Sequence, residues 1–227
     1  MGRIIKDILI LFAITLVAGL ALGAVFNFTK DARDEQEDKT IKEAYEKVMP
    51  GVDSYETATI KMNGKDVKVE KKILAALNKE IAKEIKSKES ETDYKPYKEY
   101  KATINKVLLA KDKDKKDLGY IITVTDEEAY DGSLQMTVGI DMNGSVRGIS
   151  FLDISETPGL GMKAQDENFL KQYYGKDVDF FTYTKTKSEK KSEVDAISSA
   201  TITTNAVTHG VDACLCMADH LGGEGHE

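Results

Sequence analysis

Cysteine is almost missing from this chain: of 227 residues only Cys214 and Cys216 are thiols, with Leu215 between them. The segment reads as helix, where residues two apart do not share a face, so the pair is badly placed for a disulfide with itself. Neither zinc-finger nor iron-sulfur spacing is present, and His209 and His220 do not complete a convincing metal site. Free thiols, buried or partly exposed, are expected. Basic charge is also short, with 32 Lys and Arg against 39 Asp and Glu, and the lysines are scattered among acids. No electrostatic footprint for a phosphate backbone results, which excludes nucleic acid as a partner. What is present, 41% hydrophobic residues over this length, suffices for one sizeable core plus any membrane segment. The composition is neither that of a disordered chain nor that of a repeat protein.

Charge is wholly absent between Ile8 and Thr29, and this run exceeds the roughly 20 residues that cross hydrocarbon as a helix. A membrane anchor is expected over residues 1–30. Ala21, Gly23 and Ala24 would suit a signal peptidase, but a signal's apolar region is only about 7–15 residues long, so an uncleaved span is the better reading. No cysteine follows it to suggest a lipoprotein. Arg3 and Lys6 on one side are matched by Lys30 and Arg33 on the other, so basic charge leaves the orientation open.

Beyond the anchor, Ile41, Ala44, Tyr45 and Val48 recur at helical spacing in a charged background, and Pro50-Gly51 should end that helix. Ile73, Leu74, Leu77, Ile81 and Ile85 define the apolar face of a second helix over about 71–88. The pattern then changes. Ile104, Val107 and Leu109, a lysine and aspartate turn, and the run Tyr120 to Val124 read as a hairpin. Met136, Val138 and Ile140 alternate with polar or small residues, and Asn143-Gly144 turns the chain into Val146 to Phe151. A short helix over 167–174, a strand over 178–183 and a final helix over about 205–220 complete the expectation. The fold class is α+β, a small antiparallel sheet with packed helices behind a single N-terminal transmembrane helix.

Two segments look chemical. In Glu156-Thr157-Pro158-Gly159-Leu160-Gly161-Met162, two glycines and a proline fix an unusual backbone path. N–H groups beside Leu160 and Met162 are expected to be accessible to a flat apolar ring, though a plain tight connection has the same residues. In the run from Asp195 to Asn205, five hydroxyl side chains cluster at a helix start. They read as a capping run with Thr203, Thr204 or Asn205 as N-cap. The same place, with unpaired N–H groups and partial positive charge, seats a phosphate.

Taken together, ETPGLG followed by D-x-x-S-x-A-T-x-T resembles the FMN-binding domain family. The likeness is to the G subunit of the Rnf electron-transport complex and to its relative, the C subunit of the sodium-pumping NADH:quinone reductase. It covers nearly the whole chain, and the compact length favours the Rnf type. The resemblance divides the chain into an anchor at 1–30, a juxtamembrane helical region at 31–100 and an FMN-binding domain at 101–227. It implies that a flavin transferase takes FMN from FAD and joins its phosphate to Thr201, with Asp195 a recognition or metal-contact residue for that enzyme. Ser199 stands where the family usually has glycine. Spacing alone leaves Thr203 and Thr204 open as acceptors.

The resemblance further implies that Glu156, Thr157, Gly159 and Leu160 line the ring while Ser198, Ser199 and Thr204 help hold the phosphate. The domain would face away from the cytoplasm, with the N-terminus inside, and the chain would relay electrons within a complex that couples ferredoxin and NAD to sodium or proton transport. The sequence has no nicotinamide fingerprint, no iron-sulfur cysteine set and no membrane-buried carboxylate, so NAD, ferredoxin and ion sites are expected on partner subunits. Other readings are the C subunit of the quinone reductase, a membrane-tethered flavin sensor, for which no output module follows the flavin domain, and an anchored binding module without cofactor.

Overall fold

The computed structural model describes residues 2–62, 64–91 and 94–222, and the chain divides into two compact units, Met1–Lys42 and Glu43–Glu227. The last five residues of the expected 101–227 domain lie outside the described residues. The first unit is helical and belongs to α1, Gly2–Val48. Its apolar stretch has a mean hydropathy of 2.7 with no part buried, so it is long and apolar enough to cross a membrane. Residues 8–29 rise about 33 Å at the helical repeat, enough for a hydrocarbon core. Thr15 and Thr29 donate their hydroxyls to carbonyls one turn back, Thr15 to Leu11 at 3.1 Å and Thr29 to Val25 at 2.8 Å. Both hydroxyls are thereby satisfied within the helix.

The second unit is built on a five-stranded antiparallel sheet. Its strands are β1 (Ser54–Thr57), β4 (Ala102–Lys111), β5 (Asp117–Ala129), β6 (Gly132–Asp141) and β7 (Val146–Asp153), in that spatial order. Between β1 and β4 come the small hairpin β2 (Thr59–Met62) with β3 (Lys65–Lys68), and then helix α2 (Lys71–Glu91). After β7 the chain runs through a 3-10 turn (Gly161–Gln165), α3 (Glu167–Leu170), the parallel pair β8 (Thr182–Thr184) and β9 (Glu193–Asp195), and α4 (Thr201–Gly222). This is the α+β architecture expected.

Helix α4 is the centre of the core. Almost every residue from Thr203 to Ala218 is buried, and the helix packs on β4, β5 and β6 on one side and α2 on another. Gly210 permits the close approach to the sheet, since a Cβ there would collide with Met136 Cε. Leu74, Leu77, Ile81 and Ile85 of α2 face inward as their spacing predicts. Cys214 and Cys216 are free and buried, and burial holds both thiols above their ordinary range.

Three features differ from the sequence expectation. The final helix starts four residues early, at Thr201, and the Ala200 carbonyl accepts its first bond from Thr204 N at 3.0 Å. Thr203, Thr204 and Asn205 are therefore buried inside the helix and none is its N-cap. Thr204 and Thr208 instead bond back to carbonyls one turn earlier, Ala200 and Thr204. The strand expected over 178–183 shrinks to the three residues of β8, and the short helix of 167–174 ends at Leu170. Strands β1 to β3 carry no alternating signal, because each has four residues and at most one is buried.

Candidate functional site

The first chemical segment leaves the end of β7. Thr157 O accepts from Leu160 N at 3.1 Å and Gly159 has φ of +77°, so Thr157-Pro158-Gly159-Leu160 is a type II turn. Proline pre-sets the first central residue and glycine alone takes the second without strain. Met162 N also donates to Thr157 O, at 3.3 Å. The N–H groups of Leu160 and Met162 are thus spent on one carbonyl, contrary to the expectation that they would be open to a ring. Just before the turn, Glu156 is buried, and its Oε1 accepts from the backbone N–H of Tyr130 at 2.9 Å. Gly161 makes room for it: a Cβ there would collide with Glu156 Oε2 and lie 2.7 Å from Thr203 Oγ1.

The second segment makes the same kind of turn from different residues. Ala200 N donates to Ile197 O at 2.9 Å, and Ser199 has φ of +62°, so Ile197-Ser198-Ser199-Ala200 is also type II. Serine occupies the left-handed position where the resemblance puts glycine, and this costs about 1–2 kcal/mol of backbone strain. Thr204 holds the turn from beneath. Its hydroxyl accepts from Ile197 N at 3.0 Å and donates to Ala200 O at 3.0 Å. Thr201, the first helical residue, then emerges half-buried.

These two turns are the walls of one cleft of about 480 Å³, a volume within the range of small-molecule sites. Of the residues singled out from sequence, Glu156, Thr157, Leu160, Ser199 and Thr201 line it. Gly159 shapes the first turn without lining the cleft, Ser198 is exposed at the second, and Thr204 is buried behind it. Asp195 lies apart on β9, exposed, where its Oδ1 accepts from Ser188 N at 2.6 Å.

The cleft adds three residues that sequence reasoning missed, Tyr97, Tyr130 and Lys185, and it also takes in Gly161, Ala200, Ile202 and Thr203 from the two segments. Tyr130 had a signal, an aromatic beside the Asp131-Gly132 hairpin turn, whereas Tyr97 and Lys185 arrive from distant segments with none. Chemically the cleft has two ends. The start of α4, with its unpaired N–H groups, and Lys185 suit a phosphate. The exposed side chains of Tyr97, Tyr130 and Leu160 suit a flat apolar ring. Thr203 Oγ1 is buried with no hydrogen-bond partner in the protein, a donor and acceptor waiting for a ligand. Among the described residues no group of three or more His, Cys, Asp or Glu is placed to hold a metal ion.

Residues 129–216, which contain both turns, match the model of the FMN-binding domain. The likeness to that family is thus carried by the stretch that forms the cleft's two walls. The chain is 35% identical over 102 residues to the G subunit of the proton-translocating ferredoxin:NAD(+) oxidoreductase complex of Clostridium ljungdahlii, covering 45% of this chain and 54% of that protein. It is 29% identical over 215 residues to the G subunit of the Na(+)-translocating ferredoxin:NAD(+) oxidoreductase complex of Acetobacterium woodii, covering 94% and 90%. The match thus spans about half the length of the Clostridium relative and most of the Acetobacterium one. Among solved structures, the C subunit of the Na(+)-translocating NADH-quinone reductase from Parabacteroides distasonis shares the fold, with a TM-score of 0.53 at 17% identity over 86% of this chain and 98% of that one. The orphaned Thr203 hydroxyl, the apolar rim and the phosphate-compatible end fit the FMN-binding domain's cofactor.

Proposed function

We propose that this chain is the flavin-carrying subunit of a membrane-bound, ion-translocating electron-transfer complex of the Rnf type, with FMN esterified through its phosphate to Thr201. The observation that carries this reading is that two segments nearly forty residues apart in sequence wall one cleft, with Thr201 at the end suited to phosphate. Attachment is a phosphoryl transfer. The Thr201 oxygen forms a bond to the flavin-side phosphorus of FAD, the pyrophosphate P–O bond breaks, AMP leaves, and the hydroxyl proton passes to a base on the transferase. Among the described residues no histidine lines the cleft to serve as that base. Asp195, exposed and outside the cleft, is a recognition or metal-contact point for that enzyme.

Flavin supplies one-electron chemistry, and the chain's part is to hold and tune it. Thr201 and the α4 start fix the phosphate, Ser198 and Ser199 shape the turn beside it, and Thr157, Gly159 and Leu160 form the opposing wall with Glu156. The two relatives are named for ferredoxin and NAD and for different ions, so the proposal covers transport of either sodium or protons. The long apolar helix supports a single-pass reading. In this proposal the N-terminus is cytoplasmic and the flavin domain lies on the far side, where covalent attachment prevents loss of the cofactor. Other subunits of the complex supply the donor and acceptor.

The test is acid precipitation of the full chain purified from a host with the transferase. Visible flavin absorption should remain with the pellet, and peptide mass spectrometry should place FMN on Thr201. A colourless pellet, or an adduct on another residue, would overturn the assignment. Protease added to spheroplasts should digest the soluble domain, and complete protection would reverse the orientation.

A further inference from the structure

The cleft has a wall that the family match does not include. Tyr97 lies upstream of residues 129–216 yet lines the cleft, and it is 56% exposed. Among the described residues of the second unit, six large apolar side chains are exposed, and three of them, Tyr97, Tyr130 and Leu160, sit at this cleft. Clustered exposure of that kind marks a surface that something covers.

Tyr97 is exposed in its ring and fixed in its backbone. Its N–H donates to Tyr183 Oη at 2.8 Å and to Asn205 Oδ1 at 3.0 Å. Asn205 is fully buried, and its Nδ2 lies 3.2 Å from Nδ1 of the equally buried His209. Because Asn205 Oδ1 is occupied as an acceptor, its amide nitrogen is the donor to His209 Nδ1. The imidazole proton then lies on Nε2, which donates to Glu89 Oε1 at 3.0 Å. Burying an amide and an imidazole in one chain of hydrogen bonds is costly unless every member is satisfied, and this chain ends on the strap, residues 94–100, that carries the exposed Tyr97 ring. Asn205 is four residues after Thr201, on the same face of α4 and about 5–6 Å away between Cβ atoms. The strap is therefore tethered one helical turn from the attachment point.

We propose that Tyr97 packs its ring on the isoalloxazine of the bound flavin, and that Asn205, oriented by His209 and Glu89, is the residue that positions it. This rests on the proposed flavin attachment at Thr201. Lys185 Nζ lies 5.8 Å from the centroid of the Tyr97 ring, so the same contact also brings a cation beside the cofactor.

The measurement is flavin fluorescence per bound flavin in the full, flavinylated chain, native and then unfolded in denaturant. A phenol in contact with an excited isoalloxazine gives it one electron and takes it back, so fluorescence is lost with no net reaction. A phenyl ring does not donate. The native wild-type chain should be strongly quenched relative to the unfolded one, and Tyr97→Phe should raise native fluorescence several-fold at unchanged flavin content. Asn205→Ala should do the same by releasing the strap, at unchanged flavin content. Full flavin content with fluorescence unaltered in Tyr97→Phe would overturn the inference alone. A wild-type chain without covalent flavin would overturn the proposed function with it.

Discussion

The two walls of the cleft are the same backbone turn made in opposite ways. The first, Thr157 to Leu160, places proline and glycine at its centre, which take the required angles unaided. The second, Ile197 to Ala200, places two serines there, with Ser199 at φ of +62°, and depends on the Thr204 hydroxyl beneath it. Their chemistry divides as well. The first wall brings a buried carboxyl, Glu156, while the second brings hydroxyls and the start of α4. A turn that forms by itself can stand beside an apolar ring, but a phosphate needs donors, so an FMN in this cleft is directed phosphate-first to the free N–H groups of the second wall.

The largest effect that tests this division comes from removing one hydroxyl from each wall. Thr201→Ala should abolish acid-stable flavin absorption, while Thr157→Ala, which deletes the hydroxyl of the opposite wall, should leave attachment intact. Equal loss in both would mean that the walls do not have separate roles. Next comes the support of the second turn. Thr204→Val keeps the shape but leaves the buried Ile197 N–H without its acceptor, at a cost of about 1–3 kcal/mol in chemical denaturation. Thr204→Ser should recover most of that loss, since it retains both bonds.

How much of this was legible in the sequence depends on what fixed each part. Residues 8–29 announce themselves because lipid admits only one apolar solution, and the α2 face because four apolar residues at helical spacing have one place to go. The first wall was legible as a turn, because Pro158-Gly159 carries its own geometry. The hydroxyl run misled about where α4 begins: capping statistics treat threonine as an end residue, whereas burial against the sheet extends the helix through Thr203, Thr204 and Asn205. Tyr97 was invisible because only tertiary bonds, to Tyr183 and Asn205, bring it to the cleft. Strands as short and exposed as β2 and β3 show no periodicity.

A buried carboxyl outside the cleft predicts a pH dependence of stability. Asp126, on β5 near the hairpin that carries Tyr130, is fully buried, and desolvation raises its pKa to about 6, against an opposing pull from the Glu128 N–H. The folded state therefore holds this proton more tightly than the unfolded chain. Stability should fall as pH rises from the ordinary carboxylate range to about 6, then level off. Asp126→Asn keeps an acceptor for Glu128 N–H and removes the ionisation. It should flatten that slope and gain about 3 kcal/mol at neutral pH relative to acid. Thermal denaturation between pH 4 and 7 reads the difference, and parallel curves for variant and wild type would sink the idea.

The smallest effects come from exchanging the central residues of the two turns. Ser199→Gly relieves about 1–2 kcal/mol of left-handed strain. It also adds about 0.5–1 kcal/mol of entropy to the unfolded chain. The balance is a gain of roughly 0.5 kcal/mol. Gly159→Ala reverses both terms at an apex where a Cβ meets nothing within 4 Å, so a loss of similar size is expected from backbone alone. Urea denaturation of the two variants should give small shifts of opposite sign. If Ser199→Gly destabilises instead, the serine hydroxyl must be contributing more than its strained backbone costs, and the second wall would be held at its apex as well as from beneath.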